Sequence, residues 1–282
     1  MRISVCYSAR FEYAQVASFS PHRVRLFPRN DLFINLERIA FSTHSSGDVQ
    51  YRRDLFDNLT ATCVYPEPLD VLEFKLEFDA SVQEWDPFKF LLDSHALKLP
   101  FEYRPDEAAV LAPFRRNRFK LRALPAALTP TSPRPTVEAI VAMNSWLHDN
   151  IEYERREKGD AFAPRTTLER QKGSCRDFAV LLAEVLKIHG LAVRLASGYL
   201  WEDKSGSGPE HAHNAFHAWV ETYLPGAGWV GLDPTNGILC EDHFLATAVG
   251  LSADDIAPIV GHYYGRETIA SVLTSSLEIV PL

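Results

Sequence analysis

Gly173-Ser174-Cys175-Arg176-Asp177-Phe178-Ala179-Val180-Leu181-Leu182-Ala183-Glu184-Val185-Leu186-Lys187-Ile188-His189-Gly190 is the stretch that orients the rest of the chain. Phe178, Leu181, Leu182, Val185, Leu186 and His189 recur at three-four spacing, which predicts an amphipathic helix. Gly190 predicts its C-cap, Ser174 its N-cap and Gly173 a tight backbone turn before it. Cys175 then stands at the helix start, where N–H groups lack intrahelical acceptors and the macrodipole is positive. Both favour the thiolate, the reactive form of cysteine, and the same N–H groups suit an oxyanion. A buried structural cysteine is the competing reading and the commoner one. Asp177 in the first turn suits the dipole, and a capping role is favoured for it over substrate contact.

Downstream, Val193–Tyr199, Ala215–Tyr223 and Trp229–Leu232 read as strands. On the second, His217, Trp219 and Glu221 share one face. A strand histidine beside a cysteine-tipped helix is placed to act as a general base, against the alternative of a hydrogen-bonded core histidine. The third runs into Asp233-Pro234, where proline ends the strand. Asp233 is placed to fix an imidazole tautomer, or else to cap a turn. Trp219 and Trp229 read as core or cleft-wall aromatics. Taken together, a helix-start cysteine followed by strands bearing histidine and aspartate has the order of a papain-like nucleophilic triad.

Upstream, Val137, Ile140, Val141, Asn144, Leu147 and Ile151 predict another helix, and a short one is expected over Asp106–Phe114. Prolines crowd 100–135, and those from Pro125 to Pro135 mark the best linker. Arg115 to Arg118 reads as a solvated basic turn. Before it, period-two alternation at Ile3, Val5 and Tyr7, at Leu59, Ala61, Cys63 and Tyr65, and at Leu72, Phe74, Leu76 and Phe78 predicts half-buried antiparallel strands. Ser45-Ser46-Gly47-Asp48 and Asp57-Asn58 are turn signals between them. A last strand is expected in 269–280, and a polar, Gly-rich loop over 202–209.

At 282 residues, about two domains are expected. Hydrophobic residues are 46% and charged residues 23%, which excludes disorder over most of the length. Twenty-nine basic against 37 acidic residues leave a net charge of −8, which disfavours nucleic acid and anionic membrane as partners. No apolar run is long enough to span a bilayer, and the N-terminus alternates where a secretory signal needs a continuous apolar stretch. Four cysteines make no disulfide framework, so a reducing cytoplasm is the expected location. His211, His213 and His217 form an H-x-H-x3-H run with Cys240 further on, but a strand pattern does not set them as zinc ligands. No phosphate loop, dinucleotide fingerprint or calcium loop occurs, so no cofactor or metal is expected.

The motifs G-S-C-R-D-F-A (173–179), H-A-W-V-E (217–221) and G-W-V-G-L-D-P-T-N-G (228–237) resemble those of the bacterial transglutaminase-like superfamily, papain-fold cysteine enzymes. The tail over 248–265 resembles the region that follows that core. S-P-H-R-V-R-L-F-P-R (20–29) and R-D-L-F-D-N-L (53–59) resemble the family's companion β domain. The resemblance implies an α+β fold: an N-terminal antiparallel, sandwich-like β domain over 1–125 and a papain-like transglutaminase core over 126–282. It implies Cys175 as nucleophile, His217 as base and acid, and Asp233 as the orienting carboxylate. Tyr153 is a candidate side-chain oxyanion donor, as related enzymes place one upstream. Arg176 stands where the family often has glutamine, which bears on substrate preference. The implied function is cysteine-dependent amide hydrolysis or acyl transfer through a thioester, on a peptide or glutamine-type amide of a peptide or protein. A non-catalytic peptide-binding module keeping the fold is the alternative, and the oligomeric state stays open.

Overall fold

In the strand Arg2–Phe19, Ile3, Val5, Tyr7 and Ala9 are buried while the residues between them are more exposed. The structure, a computed structural model, describes every residue except 45, 120, 122–123, 130–132, 157–158, 202–214 and 266–268. This strand pairs antiparallel with Leu69–Val82, which pairs in turn with Ile34–Thr43. Asp48–Arg53, Leu59–Val64 and His22–Val24 form a second antiparallel sheet. The two sheets share one apolar core in which Phe74, Leu76 and Phe78 meet Val24, Leu26, Ala61 and Cys63. Period-two patterning thus puts one face of each sheet inside, as in a sandwich.

The second lobe carries a five-stranded antiparallel sheet in the order Ile238–Leu239, Gly228–Asp233, Ala215–Leu224, Ala192–Leu200, Phe244–Gly250. The helix Cys175–Ile188 packs against its two inner strands, and the helix Thr136–Asn150 packs against that helix. The fold is α+β, a helix-bearing core beside a β lobe. No described helix is long and apolar enough to cross a membrane.

Three details depart from the sequence reading. The Cys175–Ile188 helix is buried on all sides from Asp177 to Lys187, not only along its apolar stripe. Glu184 meets Lys187 at 3.0 Å and accepts the N–H groups of Arg118 and Phe119, so its polar face is covered and satisfied. Described parts of the proline-rich stretch are packed: Leu128 is fully buried, its carbonyl meets His189 Nε2 at 2.8 Å, and Arg134–Pro135 pairs with Lys98–Leu99. Finally, the chain after the core returns to the first lobe. Ile259–Val260 joins His22–Val24, and Ser271–Pro281 lies beside Arg2–Tyr13. The division expected at 125 therefore does not describe the C-terminus, because strand pairing is non-local.

The lobes are tied by side chains that take the place of backbone. Asn58, fully buried, donates to Val249 O at 2.8 Å and accepts from Val249 N at 2.9 Å. Arg29 Nη1 donates to Asn58 Oδ1, and its N–H donates to Ala246 O. Arg25 is buried and donates to the Asp254 and Ala257 carbonyls. Tyr199, Trp201 and Leu245 of the core join the apolar cluster of the β lobe, and Tyr199 Oη donates to Leu26 O. The R-D-L-F-D-N-L and S-P-H-R-V-R-L-F-P-R segments are thus the clasp between lobes. Asn58→Ala leaves the Val249 N–H and C=O buried without partners. It should lower the unfolding free energy by about 3 kcal/mol in urea titration, with Asn58→Asp failing to restore it because the donor is lost.

Candidate active site

Ser174 takes extended backbone geometry and caps the helix that Cys175 opens. Its capping box is closed by Asp177, which has no exposed surface. Asp177 Oδ2 accepts from Ser174 N at 2.7 Å and Ser174 Oγ at 2.8 Å; Oδ1 accepts from Phe162 N at 2.6 Å. Arg156 Nη2 donates to both oxygens, at 2.7 and 2.8 Å, and its guanidinium lies over the Phe162 ring. Burial raises the Asp177 carboxyl, but these N–H groups and Arg156 hold it below its ordinary value. Asp177 is therefore structural, as expected. Gly173 serves a different purpose from the one its sequence suggests. It lies in the strand Lys172–Gly173, and a Cβ there would stand 2.8 Å from Asp177 Cβ.

His217 sits on the strand Ala215–Leu224 and Asp233 at the end of Gly228–Asp233, both buried. His217 Nε2 and Asp233 Oδ2 are 2.9 Å apart. Asp233 also accepts from Asn236 Nδ2 at 2.6 Å and from Thr235 N at 2.9 Å. Asn144, on the neighbouring helix, donates to the carbonyls of Asp233 and Ile238 and so holds the turn. With Nε2 taken by Asp233, Nδ1 is the nitrogen left over; it is buried without a hydrogen-bond partner, and the imidazole charge acts on the Cys175 thiol. The structure brings all three sequence-predicted residues together.

The electrostatics follow from this packing. Burial pushes the Cys175 thiol up. The His217 imidazole, the Ala218 N–H and Arg176 outweigh it, so the thiol lies below its ordinary value. Burial lowers the His217 imidazole, and the Asp233 charge and hydrogen bond with the Cys175 interaction outweigh it in turn and raise it to about 10. Burial raises Asp233, while the His217 charge and the bonds from His217, Asn236 and Thr235 bring it down. All three shifts run in the direction of thiolate, imidazolium and carboxylate. All four cysteines are unpaired thiols, and burial pushes Cys63 up to about 11 and Cys240 well above the ordinary thiol range.

Cys175 is partly exposed to a cleft of about 350 Å3 between the lobes, walled by Tyr153, Arg176, Phe216, Pro258, Leu273 and Leu277. The Tyr153 hydroxyl is pushed up to about 12 by burial and by the charge of Cys175, so it stays protonated and able to donate. His211 and His213 of the histidine run, like the loop at 202–209, lie outside the described residues. His217, the run's third member, is committed to Asp233. Sequence reading missed Arg156, Phe162 and Asn236. Only Asn236 left a signal, as the fourth residue of Asp233-Pro234-Thr235-Asn236.

Comparison with known proteins agrees with this geometry. The model of the transglutaminase-like superfamily matches residues 122–234, and that of the bacterial transglutaminase-like N-terminal region matches residues 3–81. The chain belongs to the transglutaminase-like superfamily. The superfamily match spans Cys175, His217 and Asp233. An uncharacterized protein of Mycobacterium bovis is 27% identical over 298 residues, covering 99% of this chain and 93% of its own. One of Mycobacterium leprae is 28% identical over 162 residues, and that match spans 53% of this chain and 57% of the relative. The crystal structure of a candidate cysteine protease from Cytophaga hutchinsonii shares the fold, with a TM-score of 0.66 at 16% identity over 99% of this chain and 90% of that one.

Two outcomes follow for this transglutaminase-like site. Iodoacetamide at pH 7 should alkylate Cys175 well before Cys63 and Cys240, and His217→Ala should slow Cys175 as its pKa rises; peptide mapping by mass spectrometry reads both. Asp177→Ala should destabilise the fold by about 3–5 kcal/mol in denaturant titration, because it leaves Arg156 without its buried partner.

Proposed function

We propose that the protein is a cysteine-dependent acyl-transfer enzyme acting on amides, with Cys175 as nucleophile, His217 as general base and acid, and Asp233 as the orienting carboxylate. One observation carries the reading: a helix-start thiol opens on a cleft that His217 also lines, and that buried imidazole is hydrogen-bonded to a buried carboxylate through Nε2, which leaves Nδ1 for the thiol. A peptide-binding module needs a groove but has no use for a depressed thiol paired with an imidazolium.

The chemistry follows from the positions. The Cys175 thiolate attacks the amide carbonyl carbon. The developing oxyanion meets the Cys175 N–H, which has no intrahelical acceptor at the first helical position. The Tyr153 hydroxyl in the same cleft is the second donor. The His217 imidazolium gives its proton to the leaving amine, and a thioester remains on Cys175. His217, now neutral, takes a proton from water or from an amine as that acceptor attacks the thioester. Water makes the reaction hydrolysis of a peptide or glutamine-type amide; an amine makes it transamidation. Asp233, held by Asn236 and Thr235, keeps Nδ1 aimed at the thiol throughout.

Activity-based capture of a thioester from an amide library, read by mass spectrometry, tests the reading. Cys175→Ala should abolish capture and turnover while the fold persists. Asp233→Asn should keep the shape yet favour the wrong tautomer, with a loss on the order of a thousandfold or more in kcat. Tyr153→Phe should lower kcat about a hundredfold with KM little changed. The rate should rise with pH as Cys175 ionises, below the ordinary thiol range. It should fall again as the imidazolium, raised above its ordinary 6.5, loses its proton. Full activity in Cys175→Ala overturns the mechanism.

A further inference from the structure

The strand Ser271–Pro281 is the edge of the first sheet: among the described residues, only Arg2–Phe19 pairs with it. Its hydrogen-bond parity can be read from the two ends of the ladder. Leu282 N–H donates to Arg2 O and Ala14 N–H donates to Ala270 O, each at 2.9 Å. In an antiparallel ladder hydrogen-bonded and non-hydrogen-bonded pairs alternate. The even-numbered residues therefore turn their N–H and C=O groups inward to the paired strand. Leu273, Ser275 and Leu277 turn theirs outward. Among the described residues, none takes these outward bonds.

Those same three residues line the cleft that holds Cys175 and His217. Leu273 and Leu277 are anchored by packing against the β-lobe core, while Ser275 is exposed. An edge strand is ordinarily guarded by charge or proline. Val272-Leu273-Thr274-Ser275-Ser276-Leu277 carries neither. We infer that the acyl-donor substrate is an extended polypeptide segment that adds as a strand to the Leu273–Leu277 edge and so lays its amide across Cys175. The inference rests on the proposed role of Cys175 and names the substrate form for that site. Main-chain bonds give such docking its affinity with little demand on sequence. The edge borders the same cleft of about 350 Å3 that Cys175 and His217 line, so a strand added there runs alongside the thiol.

The test compares two reagents on Cys175: iodoacetamide, and acetyl-Ala-Ala-Ala-Ala chloromethyl ketone. Ser275→Pro removes the outward N–H and sets a ring on the edge without breaking the inner ladder. It should slow the peptide reagent by about tenfold, the worth of one or two main-chain hydrogen bonds, and leave the iodoacetamide rate unchanged. A series of peptide reagents N-methylated at one alanine at a time, used on the unaltered protein, should lose rate at alternate positions only. This series decides by itself where circular dichroism shows Ser275→Pro unfolded. Peptide rates indifferent to Ser275→Pro and to N-methylation, with Cys175 still selectively alkylated, overturn the edge and leave the nucleophile standing. Sedimentation showing a dimer that Ser275→Pro dissociates also overturns it, since a second copy then holds the edge. Loss of selective iodoacetamide labelling in the unaltered protein overturns the nucleophile reading and this inference with it.

Discussion

A buried carboxylate at Asp177 is the constraint on which the site depends. It is wholly out of water, and a charge there is tolerable only when every lone pair is used. Arg156, the Ser174 N–H and hydroxyl, and the Phe162 N–H use them. Those partners come from the helix cap and from the segment before it, so satisfying one charge fixes where the helix begins. Arg156 is itself held under aromatic cover by Phe162, and its carbonyl accepts from Arg176. The thiol at Cys175 inherits its position from this arrangement, one residue past the cap.

The second dependence is between lobes. The cleft has one wall from the core and another from Leu273 to Leu277, nearly a hundred residues later than Cys175 in sequence. The clasp of Asn58, Arg25, Arg29 and Tyr199 helps to keep those walls in register. The side chains of Asn58, Arg25 and Tyr199 bond to backbone of the opposite lobe, and Arg29 reaches it through its own backbone N–H. Asn58 is used as a surrogate strand, giving Val249 both a donor and an acceptor. An interface that ends backbone groups this way is costly to open, because each freed group is left buried and unpaired.

The charges of the site balance along one line from Asp233 through His217 to Cys175. Burial alone would neutralise all three groups. Three donors bring the carboxyl down, the carboxylate raises the imidazole, and the imidazole lowers the thiol. Asn236 and Asn144 act one step further out, on the carboxylate and on the turn that carries it.

Much was legible in the sequence, because the signals are local. Three-four spacing marked the helix that Cys175 opens, period-two alternation marked the strands of the β lobe, and the cysteine and aspartate stood at element boundaries with the histidine on the strand between them. What local signals do not contain is pairing across distance. The strand at 271–281 was readable as a strand, but alternation says nothing of its partner, and it returns to Arg2–Tyr13 instead of completing the core. Asp57-Asn58 read as a turn; the turn lies one step earlier, at Leu55–Phe56, and Asn58 faces Val249 across the lobes. Arg156 and Phe162 carry no pattern at all, since their role exists only once a buried Asp177 needs donors. Sequence by itself determined which elements form and which side chains are candidates for the chemistry, because both depend on neighbours within a few residues. Tertiary structure decided the edge, the cleft and the buried charge partners, because hydrogen-bond demand is met by whatever chain arrives there.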